Sequence, residues 1–280
     1  MTRNLMRYLI SIFSLILIAA GFALPGNAQT PIGGTINNAI DVVSIDGPDQ
    51  LTVSDATGFS EGDTVLVIQM KGIQINITTT AVNYGSLQNT YSAGKYEFLI
   101  IGGISGNQVT FTADFNNSYD AQGMVQMVRV ASYDNAVVTS DITAQAWDPA
   151  NGYGGVIALI VGNTLTLNAD IDASEAGFRG APVSVGDGTC SNFDFAYEFA
   201  YFNAASDSAG FKGEGAATYF TPNNGIDSII GPAYAKGRGA NFNGGGGGNA
   251  RMSGGGGGGN INVGGFGGIE AEDCTPEGPV

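Results

Sequence analysis

The sequence predicts an all-β protein, with an N-terminal β-sandwich or barrel followed by an incomplete β-helix-like, glycine-rich region. After the first 28 residues, short runs rich in Val, Ile, Thr and aromatic residues alternate with turns of Gly, Asn and Asp. No window there shows the sustained 3.6-residue periodicity of an amphipathic helix. Glycine, 45 of the 280 residues, is clustered between residues 237 and 268.

The N-terminus has the layout of an export signal. Arg3 and Arg7 precede an apolar run from Leu9 to Leu24, and Gly26-Asn27-Ala28 supplies small residues at a cleavage site. The alternative is an uncleaved membrane anchor, but the run of about 16 residues is shorter than the roughly 20 needed to span a bilayer. We therefore predict that residues 1–28 are removed, that the protein is exported, and that the mature chain has no membrane span.

We predict a β-rich domain over residues 29–148. Turn residues separate its strand candidates, and Gly106-Asn107 between two of them predicts a hairpin. Short strands at this spacing are typical of a compact sandwich or barrel. The candidates are Thr64–Met70, Tyr96–Ile101, Val109–Thr112, Met124–Val130 and Ala136–Val138.

This first region holds carboxylates and tyrosines that a glycan-active protein could use. Most of the carboxylates lie beside glycine or in polar turns, which favours solvated turn residues over a catalytic pair; they are Asp55, Glu61, Asp63, Glu97, Asp114 and Asp120. Tyrosines suit either stacking on sugar rings or ordinary strand packing; they are Tyr84, Tyr91, Tyr96, Tyr119 and Tyr133.

A second region is predicted over residues 149–280. Its first strand candidates are Val156–Val161, Thr164–Leu167 and Asp170–Ala173, joined by tight turns. They are typical of one rung of a parallel β-helix, although a hairpin followed by an edge strand also fits. A β-helix needs several stacked rungs to close a core, so any solenoid in this sequence is incomplete.

Glycine dominates the rest of this region, with runs at Gly244–Gly248 and Gly254–Gly259. Such a composition fits a flexible linker. We favour a packed glycine-rich layer, because apolar and asparagine residues punctuate the runs and glycine lets backbones approach closely. Neither run ends in the Gly-Lys-Ser/Thr of a phosphate-binding loop, so we expect no nucleotide.

The second region gives no metal or redox signature. Asp170-Ile-Asp172-Ala-Ser174 begins like a calcium loop, but Glu175 replaces the turn glycine and Ala181 replaces the bidentate glutamate. We therefore predict no metal and no cofactor. Cys190 and Cys274 are the only cysteines, and an oxidising exterior favours a disulfide between them.

Composition excludes several function classes. The sequence has no histidine, so it offers no Ser-His-Asp or Cys-His nucleophile system and no imidazole base. Its formal net charge of −15 argues against nucleic-acid binding, which needs a basic surface. We therefore predict no catalytic residues.

Several motifs recur together in a consistent order across residues 40–275. They are Gly62–Gly72, Val125–Val130, Ala146–Asp148, Gly154–Val156, Leu165–Asp172, Gly177–Gly180, Lys212–Gly215 and Gly237–Asn241. With the glycine runs, this set resembles the N-terminal regions of large secreted, adhesin-like surface proteins of gliding and related Bacteroidota. Those proteins usually end in a gliding-motility-associated or type IX secretion sorting domain.

The resemblance implies an exported surface protein. No sorting domain occurs before Val280, which fits either a fragment of a longer protein or a truncated paralogue that is released; because the sequence ends on a turn-like segment, we expect the fragment. Exported proteins of that phylum carry O-glycans on Asp-Ser/Thr-apolar triplets. This makes Ser208 and Ser228 candidate O-glycosylation sites.

We therefore expect a non-enzymatic surface protein, adhesin-like or a component of the extracellular matrix. Its expected partners are extracellular polysaccharides or cell-surface glycans. The alternative is a carbohydrate-active β-helix protein that binds or cleaves polysaccharide, with carboxylates, arginine or lysine in place of histidine. Two carboxylates about 5–10 Å apart in a groove would favour that alternative.

Overall fold

The computed structural model describes residues 28–76, 84–183, 209–217, 219–221, 225–227, 236–237, 239–248, 254–259 and 264–267. Within these ranges the protein is all-β, as predicted, with one 3₁₀ turn at Ala121–Gly123. The strands are β1 (Thr30–Gly34), β2 (Ala39–Ile45), β3 (Gln50–Val53), β4 (Thr64–Gln69), β5 (Gln74–Ile75), β6 (Leu87–Asn89), β7 (Tyr96–Ser105), β8 (Gln108–Phe111), β9 (Val125–Arg129), β10 (Ala131–Thr143), β11 (Leu159–Leu167), β12 (Ile171–Asp172), β13 (Tyr219–Thr221) and β14 (Gly225–Asp227).

Six strands close into an antiparallel barrel in the order β2-β3-β8-β7-β4-β9. The barrel is filled by inward side chains, as expected for a small barrel. Its core consists of Val42, Leu51, Val53, Phe59, Val65, Val67, Leu99, Ile101, Val109, Phe111, Val125 and Met127. The sequence predicts either a sandwich or a barrel, and the structure confirms the barrel.

The predicted hairpin at Gly106-Asn107 joins β7 to β8. Ser105 pairs with Gln108, which leaves a two-residue loop. Gly106 has φ +60°, a value that suits the first central position of a type II′ turn and costs glycine little. The hairpin prediction is confirmed.

A second sheet is parallel and joins the two ends of the barrel sequence. β10 pairs with β1 on one side and with β11 and β12 on the other. The whole barrel is therefore inserted between two adjacent parallel strands, β1 and β10. Parallel stacking is the arrangement expected of the predicted β-helix-like region.

The tight turn predicted at Gly162-Asn163 is wrong, because β11 runs through these residues as one strand. Tyr133 pairs with Val161 and Asn135 pairs with Thr164, so two residues of β11 lie opposite one residue of β10. This is a β-bulge, which absorbs the extra residue without reversing the chain. Glycine and asparagine are suited to a bulge as well as to a turn.

Residues 153–158 cover part of the outer barrel surface. Tyr153, Val156 and Ala158 pack on an apolar cluster formed by Leu66 of β4 and Val128 of β9. Polar contacts fix the segment, since the Gln126 side chain bonds both the N–H and the carbonyl of Gly154 at 2.8 and 3.1 Å. Residues 153–158 cover β4 and β9 but leave β7 uncovered.

The glycine-rich segments pack backbone against backbone. We call them the glycine layer, which consists of residues 209–217, 236–237, 239–248, 254–259 and 264–267. Gly213 N donates to Gly245 O at 2.8 Å, and Gly257 N donates to Gly265 O at 2.9 Å. A Cβ added to Gly244 would lie 2.5 Å from Gly213 O, closer than real Cβ contacts. For these residues the predicted packed layer is confirmed over the flexible linker.

The predicted division at residue 148 stays a prediction. β10 and β11 lie on either side of it and pair in one sheet. Among the described residues there is no helix with the length and apolarity to cross a membrane. The predicted signal segment lies almost entirely outside the described residues, which begin at Ala28.

Candidate functional site

A buried ion pair joins the barrel to the glycine layer. Lys71, just after β4, has a fully buried side chain, and its Nζ lies 2.5 Å from Oε1 of Glu214. Glu214 belongs to residues 209–217 of the glycine layer, and its side chain is 7% exposed. The pair therefore links two parts of the chain that are far apart in sequence.

Aromatic rings and further donors complete this site, the Lys71 cluster (Lys71, Glu214, Trp147 and Phe178). Trp147 Nε1 donates to Oε1 of Glu214 and Arg179 N donates to Oε2, both at 3.0 Å. Lys71 Nζ lies 5.8 Å and 5.0 Å from the ring centroids of Trp147 and Phe178, within cation–π range. The carboxylate and the ammonium are both satisfied inside the protein.

The Lys71 cluster is suited to holding structure together. Burial lowers the pKa of Lys71, and the nearby Glu214 charge offsets this only in part. A buried amine with a lowered pKa is a common feature of active sites, but structural ion pairs also produce it. Because the Lys71 side chain has no exposed surface, a substrate cannot reach it without opening the fold.

A second buried lysine lies against Tyr84. Lys212 Nζ donates to the Tyr84 hydroxyl at 3.1 Å and lies 4.3 Å from the centroid of its ring. The Tyr84 hydroxyl donates in turn to Oδ1 of Asn241 at 2.9 Å. Burial lowers the pKa of Lys212 to about 7. Tyr84 lies between β5 and β6 in the sequence, whereas Lys212 and Asn241 belong to the glycine layer, so this contact also joins two parts of the chain that are far apart in sequence.

The lowered pKa of Lys212 predicts that stability rises with pH above neutrality. The folded pKa is about 7 and the unfolded value is 10.5, so between them the unfolded chain binds more protons. The free energy of unfolding should therefore increase from pH 7 to pH 9, with a slope of up to about 1.4 kcal/mol per pH unit. Urea unfolding at pH 7, 8 and 9 measures this slope. A Lys212→Met variant should lose most of it, and equal slopes in the two proteins would contradict the assignment.

The candidate carboxylates other than Glu97 lie outside the strands. Asp55 accepts from Thr57 N, Asp120 accepts from Gln122 N, and Asp63 lies 3.4 Å from the Arg129 guanidinium. Glu61 and Asp114 are exposed. These carboxylates have local structural roles or face water.

Glu97 is the buried exception. Burial raises its pKa, but the backbone N–H groups of Asn116 and Asn117, at 2.9 and 3.0 Å, outweigh that effect and leave the pKa below its usual value. The hydroxyl of Tyr119 is half-buried nearby, and burial and the Glu97 charge raise its pKa. Glu97 therefore anchors the loop after β8 as an ionised acceptor.

The candidate tyrosines separate into packed and exposed groups. Tyr84 is buried and Tyr119 and Tyr133 are partly buried, which fits a structural role. Tyr91 and Tyr96 are exposed, and Tyr91 donates from its hydroxyl to Gln74 Oε1 at 3.0 Å. The exposed ring of Phe98 lies against Tyr96.

Tyr96, Phe98 and Ile100 form an exposed apolar stripe on β7, which we call the aromatic face. Their exposed fractions are 58%, 51% and 48%. The Tyr96 and Phe98 rings meet edge to face with centroids 6.4 Å apart. The alternate residues of β7 fill the barrel, so these three must face outward. The aromatic face is the candidate binding surface.

The sequence indicates Tyr96 as a sugar-stacking candidate, but no pattern in it indicates a role for Phe98, Lys71, Trp147, Lys212 or Glu214. The alternation of β7 predicts that Phe98 faces outward once Leu99 is assigned to the core. Lys71 and Lys212 carried a weaker signal. Both are among only 10 basic residues in an acidic chain, and each lies in an apolar or glycine-rich setting.

Other predicted positions stay untested. Cys190, Cys274, Ser208 and Ser228 lie outside the described residues. Of the calcium-like segment, Asp172 accepts from Ser174 N at 2.7 Å, the geometry of a local turn. The described part of the chain contains no cluster of three or more acidic, cysteine or histidine residues suited to a metal.

The comparisons with known proteins identify no family for this chain. No family model and no curated protein matches the chain. Among solved structures, the tailspike of Acinetobacter baumannii bacteriophage AP22, in complex with a capsular saccharide, is 15% identical with a TM-score of 0.24, over 49% of this chain and 21% of that one. The gp49 tailspike of Pseudomonas phage LKA1 is 12% identical with a TM-score of 0.23, over 50% and 23%. The chain thus spans about a fifth of these tailspikes' length, and at such TM-scores neither likeness supports a functional argument.

Proposed function

We propose that this chain is an exported, non-enzymatic surface protein that adheres to neutral extracellular glycans through the aromatic face. The observation that carries the proposal is the exposure of Tyr96, Phe98 and Ile100, each about half exposed on one strand. An apolar stripe of this kind on a stable sheet is typical of a binding surface. The predicted export signal and the resemblance to secreted surface proteins support an exported, cell-surface location.

The geometry of β7 suits an extended ligand. Side chains at alternate positions repeat every 6–7 Å or so, and the three residues span about 13 Å along the strand. Aromatic rings offer flat apolar surface against the C–H groups of sugar rings, and the Tyr96 hydroxyl adds a polar edge. A row of this length accommodates a short run of linked sugars without a deep pocket.

The charge of the protein favours neutral glycans over acidic ones. The formal net charge is −15, so an acidic polysaccharide would be repelled at low ionic strength. The buried ionisable groups Lys71, Glu214, Glu97 and Lys212 are engaged in structural contacts, and this supports adhesion without cleavage.

Replacing Phe98 by alanine is expected to weaken glycan binding about tenfold, the effect of losing about 1.4 kcal/mol of contact energy. Neutral and acidic polysaccharides are first screened on a glycan array, and the best neutral binder is then measured by calorimetry. Val43→Ala on β2 is the matched control, because Val43 is 57% exposed but lies outside the aromatic face. Equal affinities of the Phe98→Ala and Val43→Ala proteins would contradict the proposal.

A further inference from the structure

Among the described strands, β11 is an edge of the parallel sheet. It pairs with β10 on one side, and no described strand pairs with its other side. Its nine residues contain no proline and no charged residue, and the uncharged stretch extends from Pro149 to Ala169. Proteins usually protect long edge strands with such residues, so β11 is unprotected.

The apolar core of the sheet continues to this edge and is exposed there. Residues that pair in register lie side by side on the same face, so Ile32, Val138 and Leu167 form one column across the sheet. Their exposed fractions are 6%, 0% and 59%. In the next column Ile142 is fully buried and its partner Ile171 is 41% exposed. The two columns therefore end in exposed side chains, Leu167 of β11 and Ile171 of β12.

The opposite edge of the sheet is protected. β1 has only five residues, and Pro31 at its second position has no N–H to donate. Gly33 and Gly34 follow, with no side chain to extend a column. Strand addition is therefore favoured at β11 and disfavoured at β1. A contact between two β11 edges closes on itself, whereas a β11-to-β1 contact would build a filament.

We propose that β11 pairs with β11 of a second copy of this chain across a two-fold axis normal to the sheet. Such an axis reverses the strand direction and preserves the face, so the two strands are antiparallel and their apolar columns meet. Charge favours this edge for self-association: the chain as a whole is strongly acidic, but residues 149–169, which include β11, carry no charge, so two paired β11 strands bring no like charges of their own together. The pairing continues the ladder already formed by β1, β10 and β11.

The test is the oligomeric state of the purified chain, measured by light scattering and sedimentation over a range of concentrations. We expect a dimer, and we expect Leu167→Glu to weaken it at least tenfold, because the change places two carboxylates at the interface. Val43→Glu is the matched control, since Val43 and Leu167 have nearly equal exposure, 57% and 59%. Hydrogen exchange should show that the β11 amides that do not bond to β10 are protected in the dimer and exchange faster in the Leu167→Glu protein.

A monomer at all concentrations would overturn the proposal. So would a dimer that Leu167→Glu leaves unchanged, because the contact would then lie elsewhere. The outcome is independent of glycan binding, since Phe98→Ala should leave the dimer intact. A dimer would present two aromatic faces, which raises the avidity for a repeating polysaccharide.

Discussion

Replacing Lys71 by methionine is expected to destabilise the protein by about 3–5 kcal/mol, the cost of leaving one partner of a buried ion pair without its counter-charge. Glu214 would keep its bonds from Trp147 and Arg179 but would be a buried carboxylate without a cation. The free energy of unfolding, measured with urea, gives the loss. Hydrogen exchange should show it first in residues 209–217, which Glu214 holds against the barrel.

Two control variants separate a buried-pair effect from a general loss of charge. Arg129→Met breaks the ion pair with Asp63. The Arg129 side chain is 52% exposed and that of Asp63 is 24% exposed, so the loss should be no more than about 1 kcal/mol. Adding Glu214→Leu to Lys71→Met removes both charges and should recover part of the stability, because Trp147 Nε1 and Arg179 N then lose their acceptor. A loss below about 1 kcal/mol for Lys71→Met alone would contradict the structural role of the pair.

Replacing Gly247 by alanine is expected to cost about 2–3 kcal/mol, because the new methyl group has no room. Its Cβ would lie 2.0 Å from the carbonyl oxygen of Gly210, a backbone atom that cannot rotate away. Gly247 also donates to Gly237 O at 2.9 Å, so moving it breaks a bond between segments. Thermal unfolding and hydrogen exchange in residues 236–248 measure the effect.

Gly265→Ala is the matched control in the same layer. A Cβ on Gly265 meets nothing within 4 Å, and its φ is not in the left-handed region. This change should be neutral or stabilise the protein by a few tenths of a kcal/mol, because alanine restricts the unfolded chain. Equal effects of the two substitutions would show that the glycine layer is not packed as described.

The barrel could be predicted from sequence because its strands carry strong local signals. β4, β7 and β8 combine β-branched or aromatic residues with alternation, and Gly106-Asn107 fixes one hairpin. The parallel pairing of β1 with β10 could not be predicted. It joins residues about 100 positions apart, and the short β1, with Pro31 and two glycines, has little strand character of its own.

The candidate site was predictable only in part. Tyr96 was identified as a possible sugar-stacking residue, but the aromatic face also needs the knowledge that residues 153–158 cover β4 and β9 and leave β7 open. The Lys71 cluster gathers residues from four distant segments, and no local pattern indicates that a lysine at the end of a strand will meet a glutamate in a glycine-rich segment.

The most direct test of glycan adhesion without cleavage is to incubate the chain with the best-binding neutral polysaccharide and measure both the bound fraction and the length of the recovered polysaccharide. We predict saturable binding and recovery of the polysaccharide at its original length. Shortened products would show a carbohydrate-cleaving enzyme, and absence of binding to every neutral glycan would contradict adhesion through the aromatic face.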